Sequence, residues 1–265
     1  MLYADRLTKE LKAVLKRLGM KIVSRNGDVF EITDNQVTFK ADMSGYRDLE
    51  DISAGELEDI VIRLQKEAEA ESRMVSFTNG QAFLRYILLP EEEVTEHMVS
   101  ADFAAGLKKV VVCTVDDVHI KLFDEKYLMR WAVPKEVAVS AADKNMCRLM
   151  DSCEFVETGL RTDLKAVEIE PKYPVFTAAF IACNNFRAKM SKLLGERYIV
   201  LAPSSSSVIA LENLTKDVAD EIGKAVVKEY RTAERPLTTA ALVFDRSSIS
   251  EAGKFTSKGT GRNEQ

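Results

Sequence analysis

Histidine is the scarcest reactive side chain in this sequence. Only His97 and His119 occur in 265 residues, which sharply limits imidazole general-base and metal chemistry. No glycine-rich phosphate loop, dinucleotide fingerprint or nucleophile motif is present, so no cofactor and no catalytic residue is expected. No apolar run approaches the roughly 20 residues that cross a bilayer. Dense Lys/Arg runs are also missing, and the net charge is −5. Neutralising phosphates takes a clustered basic face, so neither nucleic acid nor an anionic membrane is an expected partner. The first residues, Met1-Leu2-Tyr3-Ala4-Asp5-Arg6, lack the charged-then-apolar order of a signal peptide. The four cysteines, Cys113, Cys147, Cys153 and Cys183, are scattered through mostly apolar surroundings. They read as reduced core thiols, neither a disulfide frame nor a metal site, and a cytoplasmic location is expected.

What is present is ordinary globular material, 46% hydrophobic and 30% charged, enough to bury a real core. Leu7, Leu11, Val14, Leu15 and Leu18 make one helical face that ends at Gly19. Three strand-like runs follow, turned at Asn26-Gly27 and Asp34-Asn35, and predict a meander with one dry face. Ser53 and Glu56 form a capping box before Leu57, Ile60, Val61 and Leu64. Residues 1–76 therefore read as a helix, three-stranded meander and helix, with the charged end at 67–71 solvated. Phe77 to Gln81 reads as a linker, and 77–246 as a larger mixed module, so the fold class is α+β. Within it, strands at 108–115 and 118–122 meet at Asp116-Asp117, with Val118, Ile120 and Leu122 inward and His119 and Lys121 outward. Asp124 caps a short helix, and Pro134 opens another with a small-residue face. From Ser247, glycine, serine and charge dominate, which predicts a disordered tail over 247–265.

The stretch from Tyr173 to Leu211 is the most legible. Ala179, Ala182, Cys183, Phe186, Met190 and Leu193 recur at three- and four-residue steps, predicting a helix from about Ala178 that stops at Gly195. Two apolar runs, Tyr198–Ala202 and Val208–Leu211, flank Pro203 and Ser204 to Ser207 and predict a buried hairpin. The order Tyr173…Ala179…Leu193-Leu194-Gly195…Leu201-Ala202-Pro203-Ser204-Ser205 resembles the YtpQ-like family of uncharacterised bacterial proteins. The N-terminal helix, the strand into Asp116-Asp117, Trp131…Pro134…Ala142…Asn145 and Ala241–Arg246 continue the pattern. The resemblance implies a cytoplasmic α+β protein with no established activity. It also implies charged residues in the turn after the proline, where this chain has serines.

Candidate ligand-binding residues are few. Ser204, Ser205 and Ser206, with Ser207, offer hydroxyls and backbone N–H groups to an anion, although a tight hairpin turn needs no ligand. Asp116, Asp117 and His119 offer a metal or proton site, against which adjacent acidic residues on a strand diverge and are usually solvated. Cys183 before Asn184-Asn185 is a nucleophile candidate near a helix start, but its place on the apolar stripe favours a core thiol. Two functions are carried forward. One is a non-enzymatic protein-interaction module. The other is a small-molecule or anion-binding sensor or enzyme using Ser204–Ser207 with Asp116 and Asp117.

Overall fold

In the computed structural model the described residues are 3–46, 52–116, 119–161, 164–170, 172–256 and 259–261. The chain divides between Val75 and Ser76. In the smaller unit, α1 (Tyr3–Arg17) buries Leu7, Leu11, Val14 and Leu15, and Gly19 leaves it at a φ of 71°. Strands β1 (Lys21–Asn26), β2 (Val29–Thr33) and β3 (Thr38–Asp42) form an antiparallel meander in that order. Asn26 pairs with Val29, so the first turn is Gly27-Asp28, and Gly27 takes the positive φ. Helix α2 (Ala54–Arg73) starts with the reciprocal Ser53–Glu56 box, both halves formed. It does not fray at its charged end: Ala70 is fully buried and the helix runs on to Arg73. Phe30, Ile32 and Phe39 close one core with Leu11, Leu57 and Val61.

The larger unit is also α+β, with two antiparallel sheets. Residues expected as a linker are structured: α3 (Phe77–Gly80) is capped by Ser76, and a 3₁₀ turn follows over Gln81–Phe83. The smaller sheet centres on β6 (Leu107–Thr114). It pairs β4 (Leu84–Pro90) on one side and both β5 (Ser100–Ala104) and β7 (Ile120–Leu122) on the other. Leu122 was expected inward but is 41% exposed, since β7 is a three-residue edge strand with little to cover it. Helix α4 (Glu125–Trp131) is capped by Asp124, and α5 (Lys135–Asp151) lays Ala138, Ala142 and Met146 on β4. Small side chains permit that close approach.

The larger sheet has the order β14-β13-β12-β10-β11-β9-β8. Its members are β8 (Phe155–Arg161), β9 (Leu164–Ile169), β10 (Tyr198–Ser204), β11 (Ser207–Leu211), β12 (Ala240–Phe244), β13 (Ile249–Thr256) and β14 (Gly259–Gly261). Every residue of β10 is buried, because alternate side chains meet different helices. Ile199 and Leu201 join the core under α7 (Lys216–Thr232), whereas Tyr198 meets Phe186 of α6 (Asn184–Leu194) edge-on and stacks with Phe244. The predicted helix from Ala178 is divided. Ala178–Ala182 form a 3₁₀ turn, Cys183 is extended (φ −80°, ψ 138°), and α6 begins only at Asn184.

The expected disordered tail is a second correction. Residues 249–256 are β13, paired with β12 along its length. Its exposed alternate residues hid it, while Phe255 is buried against Gly223 of α7. A Cβ on Gly223 would lie 2.7 Å from the Phe255 ring, so glycine there is what lets β13 close.

Candidate functional site

The serine turn is narrower than its sequence suggests. Strand β10 continues through Pro203 to Ser204, β11 begins at Ser207, and only Ser205 and Ser206 turn. The ladder shifts register between Leu201 and Ser204, which accommodates a proline in a central strand. Ser204 is 2% exposed, and its Oγ donates to Oε1 of Glu229 on α7 at 2.8 Å. Ser207 Oγ donates to the other carboxylate oxygen at 3.3 Å. Ser204 and Ser206 share a hydroxyl contact of 3.3 Å. Since the Ser204 proton is already given to Glu229, Ser206 is the donor there. Backbone groups are committed too: Ser205 N–H donates to Arg235 O at 3.0 Å, and Ser205 O accepts from Ala178 N–H at 2.9 Å. The hydroxyls proposed for an external anion thus hold an internal one.

Asp116 and His119 close the turn between β6 and β7. Asp116 Oδ1 accepts from the His119 backbone N–H at 2.8 Å and lies 2.8 Å from His119 Nδ1. This is a local lock in a different sheet from the serine turn. Asp117 lies outside the described residues. His97 is 77% exposed beside Glu96. Among the described residues no group of three or more His, Cys, Asp or Glu could hold a metal ion. No described helix is long and apolar enough to cross a membrane.

Cys183 is a core thiol. It shares a 3.2 Å hydrogen bond with Tyr86 Oη, and burial pushes both the thiol and the phenol well above their ordinary values. The neighbouring Cys147 thiol and Asp143 act in the same direction on Cys183. A thiol kept protonated in this way is a poor nucleophile.

The feature sequence reasoning missed lies along α5, where two clefts flank one helix. A cleft of about 340 Å³ runs between α5 and the β5–β6 edge. Lys108 Nζ there is 3.0 Å from Glu91 and 3.4 Å from Asp102, whereas Lys135 of α5 lines the cleft without an ion pair among the described residues. Asp143, which lines it from α5, lies 2.9 Å from Lys109 Nζ, and that ammonium sits over the Tyr86 ring.

The second cleft, about 750 Å³, lies between α5 and the α3 segment. Val137, Ser140, Ala141, Lys144, Asn145 and Arg148 line it from α5, and Phe77 and Gln81 line it from the opposite wall. Those α5 positions follow a 3-1-3-1-3 spacing, one face of a helix. Asn145 fastens the floor, its Nδ2 donating to Gln81 O at 2.7 Å and Leu84 O at 2.9 Å. Leu84 O also accepts from Arg85 Nη1 at 2.8 Å, which draws that half-buried guanidinium to the floor. Ala82 O, on the cleft wall, accepts from the same nitrogen at 2.9 Å. Burial holds the Arg85 guanidinium below its ordinary value, and the nearby Arg148 charge pushes the same way.

The 3-1-3-1-3 spacing was readable in the sequence. What was not readable is that the chain before β4 packs across that face, with Asn145 holding the Gln81 and Leu84 carbonyls.

No family model matches the chain, and no curated protein or solved structure matches it. The resemblance to the YtpQ-like family therefore rests on the sequence pattern alone.

Proposed function

We propose that the chain is a non-enzymatic protein-interaction module that docks a partner segment in the larger cleft beside α5. The observation that supports it is that exposed Val137 lines the same cleft as Lys144 and Arg148, two cations without an ion pair among the described residues. Val137 is 38% exposed there, close to Phe77, with Lys144 and Arg148 further along. The serine turn and the Asp116–His119 turn are already consumed by internal hydrogen bonds. Such a mixture, an apolar patch rimmed by charge, is the usual composition of a recognition surface.

Quantitative affinity capture with the wild-type chain and Val137→Glu tests the proposal. A partner recovered by the wild type and lost by the variant supports it. Recovery of nothing above the background of an unrelated acidic protein sinks it. Equal recovery by both chains removes the cleft from the proposal.

The alternative is a small-molecule or anion sensor built on Ser204–Ser207 with Asp116, Asp117 and His119. It has less support, because Glu229 occupies the serine hydroxyls and His119 occupies Asp116. A thermal-shift screen against nucleotides, metals and metabolites addresses it, since ligand at 100 times its Kd adds about 2.7 kcal/mol.

A further inference from the structure

We infer that the segment docked in the larger α5 cleft is an amphipathic helix of another protein, lying antiparallel to α5 with its acidic first turn over Lys144 and Arg148. The inference rests on the cleft being a docking surface and adds the chemistry and direction of what it takes up.

The lining face of α5 consists of two rows. Glu136, Ser140, Lys144 and Arg148 follow one another at four-residue steps, and Val137, Ala141 and Asn145 form the row beside them. The first row passes from a carboxylate to two cations over twelve positions, about 18 Å of helix. None of its three charged side chains has an ion pair among the described residues. Ser140 and Ala141 place small side chains at the middle of the face, which lets a second helix come close. On the opposite wall the Phe77 ring is held in place, meeting Trp131 edge-on at 5.7 Å. A wall fixed in advance lowers the ordering cost of docking.

Backbone chemistry selects a helix. Every described lining residue belongs to α5, α3 or the 3₁₀ turn over Gln81–Phe83, so no described strand edge is there to pair an extended peptide. A helix satisfies its own backbone and docks through apolar side chains at three- and four-residue steps. Charge then selects the direction. Glutamates are favoured in the first turn of a helix and cations in the last, the preference that α5 itself follows with Glu136 and Arg148. Two helices built in this way match their charges only when they run antiparallel. A second copy of the chain is a poor source of the helix. Its α1, α2, α6 and α7 bury their apolar stripes within their own units, and its α5 exposes Val137 as its one large apolar side chain.

Fluorescence anisotropy with labelled synthetic peptides and the whole chain tests the inference. The first peptide is a helix of about 16 residues, long enough to hold its structure, with a leucine stripe, glutamates in its first turn and lysines in its last. The second exchanges the two sets of charges, and the third carries prolines that forbid the helix. The first is expected to bind saturably, the second at least about tenfold more weakly, the size of one charged contact, and the third not at all. Val137→Glu abolishes binding. Lys144→Glu, at an exposed position away from the helix ends, narrows or inverts the preference for the first peptide over the second. A merely solvated lysine would leave that preference unchanged.

Equal binding of the two charge orders, an unchanged preference in Lys144→Glu, or binding that survives Val137→Glu overturns the inference. Equal binding of the proline peptide overturns it in favour of an extended occupant. Light scattering of the chain alone adds a further outcome: a dimer that Val137→Glu dissociates overturns it in favour of a second copy. If no peptide binds while a captured partner is still lost in Val137→Glu, docking in the cleft stands and the helical occupant alone falls.

Discussion

The serine turn and the larger α5 cleft both gather polar side chains in the larger unit, and they end differently. At the turn, Ser204 and Ser207 both discharge onto Glu229, and the flanking backbone groups find Arg235 and Ala178. Along α5, Lys144 and Arg148 face solvent with no ion pair among the described residues. The turn is conspicuous in sequence and already satisfied. The cleft is inconspicuous and has capacity left over. Residue composition therefore locates polar material, while the balance of donors and acceptors decides whether any of it is available to a ligand.

Several measurements break or sharpen that contrast. The largest effect concerns Cys183, which belongs with the committed groups. Alkylation by iodoacetamide at pH 8 is expected to be on the order of a hundredfold slower in the native protein than in urea, because the buried thiol stays protonated. Comparable rates would return Cys183 to the list of reactive residues.

Next is Glu229→Ala, which leaves the buried Ser204 hydroxyl without its acceptor and is expected to cost about 1–3 kcal/mol by urea denaturation. Glu229→Gln keeps one acceptor oxygen and loses less. A neutral Glu229→Ala would mean the turn is as uncommitted as the cleft, and the contrast would fail.

Gly223→Ala probes the same helix six residues earlier, where it meets β13. Its Cβ would run into Phe255, and a loss of about 1–3 kcal/mol is expected from overpacking. Adding Phe255→Leu should return part of it; no recovery would show that β13 does not depend on that contact.

The smallest effect lies in the other unit. Hydrogen bonds from the Val37 and Gln36 backbone and from the Gln65 side chain, the Val37 bond foremost, hold the Asp34 carboxyl below the ordinary carboxylate range. A group whose folded value is depressed adds stability above its unfolded value and loses it as pH falls through the folded one. Asp34→Asn should therefore be less stable than wild type at pH 6, with the gap closing below the ordinary value of 3.8. A constant gap from pH 6 to pH 2 would show that the carboxylate charge is irrelevant there.

Much of the fold was legible for local reasons. The Ser53–Glu56 box forms as its spacing requires, and Gly195 ends α6 at a φ of 92° that residues with a Cβ rarely adopt. The stripe through Phe186 and Met190 is buried, though Cys183 interrupts it as an extended residue and Leu194 is buried more deeply than Leu193. The failures share one cause. Strand β13 was invisible because a strand with one exposed polar face carries no composition signal, and its burial depends on Gly223 thirty-two positions from Phe255. Leu122 was assigned inward by alternation, a rule that assumes something covers the face.

For the candidate site the division is sharper. The sequence placed Ser204, Ser205 and Ser206 in a turn, but not the carboxylate that fills it, because Glu229 arrives from a helix twenty-five residues away from Ser204. Asp116 and His119 were legible as one turn, being neighbours in the chain.

By itself the sequence determined the two α+β units, the caps and stops of their helices and the apolar faces that meet inside them. These follow from periodicity and backbone preference, which act over a few residues. Only the tertiary structure decided which polar groups satisfy one another. Glu229 reaches the serines, Asp143 reaches Lys109, and Arg85 reaches the Ala82 and Leu84 carbonyls. Charge compensation acts through space across elements distant in the chain, so it has no period for a sequence to display.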